Sequence, residues 1–150
     1  MIAQQVQTLA ELYERDETAW LEVMAELAAE GRVAEFDLPN LTEYLTSMGL
    51  RDRREVNSRL AVLLTHFLKW EFQPELRGNS WRGTIREQRR ELRMICESGT
   101  LRNHAEDILD DAYSDAVMQA ADETGLPLGT FPVKNPWDLN LLLANVELPT

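Results

Sequence analysis

The sequence predicts an all-α protein: a single-domain bundle of about six helices built round a central antiparallel helical hairpin. Three observations carry this expectation. Apolar residues recur three and four positions apart almost throughout the chain. No run alternates β-branched and polar residues as a half-buried strand does. Gly and Pro fall between the periodic stretches, where chain stops belong. A chain of 150 residues has the length of one domain and can bury about 70% of its unfolded surface. No repeat of 20–50 residues and no low-complexity linker divides it. Residues 1–12 are expected to form a flexible N-terminal segment.

The elements follow in order. A first helix is predicted over about residues 16–30. Trp20, Leu21, Met24, Leu27 and Ala28 fall on one stripe of it, and Gly31 supplies a stop able to adopt positive φ. A second is predicted over about residues 38–48. Asp37 is placed to cap it, with Phe36 and Leu41 spaced for a hydrophobic staple, and Gly49 to end it. The third covers about residues 53–72, entered through Asp52 and Glu55 at capping-box spacing. Val56, Leu60, Leu63, Leu64, Phe67 and Leu68 form its apolar face, and Pro74 stops it. The fourth starts after Ser80 as N-cap and runs to about residue 97; Gly83 weakens its first turn. The fifth covers about residues 103–124. Its stripe of Ala105, Ile108, Leu109, Ala112, Tyr113, Ala116 and Ala120 permits close helix approach, and Gly125, Leu126 and Pro127 suit a Schellman-type stop. A short last helix is expected after Asn135 as cap and Pro136 at its first position, with Leu139, Leu142 and Leu143 inward.

The N-terminal stretch MIAQQVQTLAELYERDE has no basic start and no continuous apolar run, so no secretory leader is expected. The longest apolar run, LAVLL at residues 60–64, is far short of the roughly 20 residues that span a bilayer. The single cysteine, Cys96, excludes an internal disulfide and most cysteine-based zinc sites. A cytoplasmic protein with no membrane partner is the expectation.

The net charge is −11, yet residues 51–93 carry +5 and the rest of the chain −16. Such asymmetry can mark a nucleic-acid face. The favoured reading is a basic hairpin wrapped by acidic helices of its own fold, because overall acidity repels phosphate backbones at long range. Within the basic segment, THFLKWEFQPELRGNSWRGTIREQRRELR at residues 65–93 holds seven of the fifteen Lys and Arg, two of the four Trp and one of the two His. His66, Trp70, Gln73, Trp81, Arg82, Arg86, Gln88 and Arg89 are its candidate functional or structural residues. Gln88 sits in the apolar stripe of Trp81, Ile85, Leu92 and Ile95 and needs a partner, since an unsatisfied buried amide costs about 1–3 kcal/mol. Counting back from the loop places His66 opposite Glu87 or Gln88, so a His66–Gln88 or His66–Glu87 hydrogen bond is expected, with His66 at least half buried. Trp70 and Trp81 flank the reversal and are expected to be largely buried near each other. Arg82, Arg86, Arg89 and Arg93 form a stripe, and Asp107, Asp111 and Asp115 another. An ion-pair network between the two is expected in preference to a free arginine face.

No catalytic residue, metal site or cofactor is predicted. No Ser or Cys stands beside His66 at an obvious nucleophile position. The two His are 38 positions apart, with no HxxxH or HExxH. The acidic run EDILDD at residues 106–111 lacks the ExxH partners that helical two-metal sites use. Neither GxxxxGK[ST] nor GxGxxG occurs.

The stretch LLTHFLKWEFQPELRGNSWRGTIREQRREL resembles the core signature of an all-helical bacterial family, domain of unknown function twenty-nine. YERDETAWL, FDLPNLTEYLTSMG, ILDDAYSDAVMQAADETGLPLGTFP and PWDLNLLL support the resemblance, which covers about residues 13–149. Its most specific element, HxLKWxxQPxxRxxSWRxTIxxQR, runs from His66 to Arg89 and contains all eight candidates. Arg51 and Gly83 depart from the residues usual in the family. The resemblance implies an all-α fold in a bacterial cytoplasm and leaves activity open. Three functions compete: a non-catalytic interaction module, a phosphate or nucleic-acid binder using the arginine stripe, and an enzyme with a pocket at His66. The first is expected, with an unknown protein partner or self-association, a homodimer included; nucleic acid is not.

Overall fold

The computed structural model describes residues 8–148. Thr8 opens it with a capping box: its hydroxyl accepts from the Glu11 amide at 3.1 Å, and the Glu11 carboxylate accepts from the Thr8 amide at 3.3 Å. This starts α1, Leu9–Arg15, a helix the periodicity did not predict. The expected flexible segment therefore gives way to helix at Leu9, and its first seven residues lie outside the described part. Five further α-helices follow: α2 (Glu17–Ala29), α3 (Leu38–Phe72), α4 (Asn79–Ile95), α5 (Gly99–Thr124) and α6 (Leu139–Leu143). No strand occurs among the described residues. The fold is the all-α bundle that the sequence predicts.

The chain divides after Leu50 into two compact units. The first packs round Trp20, Met24 and Leu27. The Trp20 indole meets Tyr13 edge-on at 4.7 Å and donates its N–H to the Asp37 carboxylate at 3.1 Å. Asp16 caps α2 by accepting from the Ala19 amide. Gly31 ends it at φ 69°, with its amide on Ala28 and that of Arg32 on Leu27, the bond pair of a Schellman stop.

Gly49 does not end a helix. The second and third predicted helices are one, the 35-residue α3. A single interior Gly costs only about 1 kcal/mol, and helix formers on both sides carry the hydrogen-bond ladder through it. Asp52 is consequently an exposed mid-helix residue and no cap.

The second unit holds the larger core, in which Leu60, Leu63, Leu64 and Leu68 of α3 meet Ile85 and Leu92 of α4 and the Ala-rich face of α5. Pro74 stops α3, a short 3-10 turn Pro74–Leu76 reverses the chain, and α4 returns. Moving along α3 from Arg59 to Trp70, the partners on α4 run back from Gln88 to Arg82: Arg59 bonds Gln88, and Trp70 lies under Arg82. The hairpin is therefore antiparallel. Two predicted caps move, and one helix starts earlier than predicted. Gly78, with no side-chain bond, precedes α4 in place of Ser80; Ser98 caps α5 earlier than expected; Asp138, accepting from the Leu141 amide, starts α6 in place of Asn135. Gly125 ends α5 at φ 73° with one bond to Ala121, while the Leu126 amide turns to the Thr124 hydroxyl, so the stop is the simpler left-handed one. No helix among the described residues is long and apolar enough to cross a membrane.

Candidate functional site

The hairpin sorts its eight candidate residues by depth. Trp70 is 2% exposed and lies beneath two guanidiniums, Arg77 at 5.0 Å and Arg82 at 5.2 Å from its ring centroid. Arg77 also donates to the Trp70 carbonyl at 2.7 Å, tying the reversal to the end of α3. Trp81 is only half-buried, packed against the core edge with the Lys69 ammonium 4.9 Å from its ring centre. The expectation of two largely buried Trp side chains thus holds for Trp70 alone, because Trp81 sits in the first turn of α4 at the margin of the packed face. Gln73 is half-buried just beyond α3, its amide on the Lys69 carbonyl.

The expected His66–Gln88 pair does not form, nor does one with Glu87. His66 donates Nδ1–H to the Val62 carbonyl one turn back, at 2.8 Å. Gln88 instead accepts from Arg59 at 3.2 Å, and Arg59 is also held by Glu55 at 2.9 Å. The neighbouring Phe67, and not His66, packs against α4, its ring beneath Arg89. His104 bonds Asn57 at 2.8 Å.

The arginine stripe divides in two. Arg89 is 6% exposed, and its guanidinium donates to three backbone carbonyls: Leu142 at 2.9 Å, Val146 at 2.9 Å and Leu141 at 3.1 Å. Arg93 donates to Leu143 at 3.0 Å. These acceptors belong to the end of α6 and the segment after it, where carbonyls lack intrahelical donors and the helix dipole is negative. The two arginines cap α6 from a neighbouring helix. Burial, and then the charge of Arg93, hold the Arg89 guanidinium below its ordinary value. The Phe67 ring lies 5.0 Å beneath it.

Arg82 and Arg86 are exposed and form no ion pair with any described residue. Asp107, Asp111 and Asp115 form none either, so the expected network between α4 and α5 is absent. An ion pair does link α3 to α5, Lys69–Glu123 at 3.4 Å. The four arginines line a cleft of about 300 Å³ between α4 and residues 144–148, with Glu147 on its other wall. His66 does not line it. Among the described residues, no three His, Cys, Asp or Glu side chains gather as a metal-binding group would.

Residues 12–146 match the model of the family described as Domain of unknown function DUF29. The chain belongs to this family. No curated protein matches it, and no solved structure does. The stretch from His66 to Arg89 supplies α3–α4 core contacts, part of the α6 cap and one wall of the cleft. Sequence reasoning missed the other wall, residues 144–148. Nothing in the string connects Arg89 to carbonyls more than 50 positions later; only packing does so.

Proposed function

We propose that this DUF29 chain is a non-catalytic protein-interaction module that receives carboxylate side chains of a partner protein in the arginine cleft of α4. One observation carries the reading. In a chain with 26 acidic residues, Arg82 and Arg86 reach a cleft without an ion pair to any described residue. A guanidinium offers a planar fork of donors matched to carboxylate oxygens. Arg82 is steadied by the Trp70 face beneath it, which lowers the entropy lost when it is ordered. Arg89 and Arg93 form the floor, their donors already engaged by backbone. Phosphate suits the same fork, but a net charge of −11 opposes a polyanion approaching from a distance. The same reading sets the protein in a bacterial cytoplasm, in keeping with its single buried thiol.

The test is a fluorescence-anisotropy titration of the full chain with a labelled ten-residue Glu/Ala peptide and, separately, a labelled oligonucleotide. Peptide binding that weakens with salt and disappears in Arg82→Glu/Arg86→Glu is expected. Binding indifferent to that reversal, or no peptide binding, overturns the proposal. Tighter binding of the oligonucleotide transfers the cleft to phosphate.

A further inference from the structure

The exposed arginines of α4 have a matching set of exposed carboxylates in the same molecule. Arg82, Arg86 and Arg90 follow one another at steps of four, and all are exposed. On α5, Asp107, Asp111 and Asp115 do the same. Residues four apart form one ridge of a helix and advance by about 6 Å per step. The three cations and three anions therefore share one spacing. Arg90 has only its sequence neighbour Glu91 as ion partner, at 3.1 Å with the Arg90 side chain 64% exposed, a contact easily exchanged. Each ridge is followed by an exposed methionine, Met94 at 59% and Met118 at 56%, which gives adaptable apolar area beside the charges.

Within one molecule the ridges do not meet. Resting on the reading that the α4 arginines take a protein's carboxylates, we propose that the partner is a second copy of this chain, whose α5 aspartate ridge docks on the α4 arginine ridge of the first. The two surfaces differ, so the contact is head-to-tail: the pair keeps a free aspartate ridge on one copy and a free arginine ridge on the other. Association then grows with concentration, closing only if the rotation between copies makes a ring. It is weak and salt-sensitive, as contacts between exposed charges are.

Sedimentation velocity of the full chain tests this over a range of protein concentrations, in about 0.1 M and about 1 M NaCl, where charges are screened beyond about 10 Å and 3 Å. The sedimentation coefficient is expected to rise with concentration in the lower salt and stay flat in the higher. Arg82→Glu/Arg86→Glu and Asp107→Lys/Asp111→Lys are each expected to sediment as monomers, and their equimolar mixture to associate again. Each substituted residue changes the charge by two units, so the double variants carry −15 and −7, and the mixture averages the −11 of the parent chain. Restored association therefore reports the ridges and not the net charge. Circular dichroism checks that both variants keep their helix. A parent chain monomeric in both salts, association that survives either reversal, or a mixture of folded variants that stays monomeric overturns the proposal. If the parent chain stays monomeric yet binds the acidic peptide, only the second copy is ruled out as partner; if it binds neither, the reading of the cleft falls too.

Discussion

Arg89 is a cation almost without water, and its nearest acceptors are carbonyls rather than carboxylates. Replacing it removes three donors and leaves the end of α6 unsatisfied inside the fold. Charge-assisted hydrogen bonds contribute more than neutral ones, so Arg89→Leu is expected to destabilise by about 3 kcal/mol in urea unfolding. Arg93→Ala, which removes one hydrogen bond, should cost about 1 kcal/mol. Arg82→Ala and Arg86→Ala should stay within about 0.5 kcal/mol of the parent chain, as exposed positions do. A second residue ties stability to pH. Burial raises the Tyr113 phenol above its ordinary value, and its O–H donates to the Pro132 carbonyl. The folded state holds this proton more tightly than the unfolded chain. Its contribution is thus complete below about pH 10 and is lost as pH rises through the folded value. The stability difference between the parent chain and Tyr113→Phe should shrink in alkaline urea titrations and be constant near neutrality.

At the scale of elements, glycines separate positions where the backbone needs freedom from positions where it does not. Gly83 lies in α4, exposed, with nothing within 4 Å of where a Cβ would stand. Gly83→Ala should therefore stabilise by about 1 kcal/mol, read from the urea midpoint. Gly125 also has open space, but its φ of 73° lies in the left-handed region. Gly125→Ala should destabilise by about 1–2 kcal/mol. The helices with strong stripes were legible because the side chains that define their period are those buried: Leu60, Leu64, Leu68, Ala105, Ala112 and Ala116 all lie in the core. Boundaries were less so. Gly49 and Asp52 carry stop and start signals that a continuous ladder overrides, whereas Thr8 and Glu11 have the capping-box spacing in the string itself.

Over the whole molecule, the surplus of negative charge lies on solvated helical faces. Asp107, Asp111 and Asp115 stand one turn apart along a ridge of α5, and among the described residues no three His, Cys, Asp or Glu side chains gather as a metal site would. Calorimetric titration with Mg²⁺, Mn²⁺ and Zn²⁺ should find nothing tighter than millimolar, about 4 kcal/mol of binding. A micromolar site abolished by Asp107→Asn or Asp111→Asn would contradict this. The basic stretch at 65–93 has one explanation for each part. Its apolar positions build the hairpin, Arg89 and Arg93 finish α6, and Arg82 and Arg86 face the cleft.

The sequence by itself determined the helical class, the reversal at Pro74, the faces of the long helices and membership of a helical family. Periodicity, proline geometry and a long signature are local properties, and a string carries them whole. The tertiary structure decided which polar groups meet. His66 turned back to its own helix, Gln88 went to Arg59, the arginine stripe split by depth, and the aspartates were left unpaired. Such choices depend on the rotation of each helix about its axis, where about 100° per residue separates a partner from a neighbour facing water.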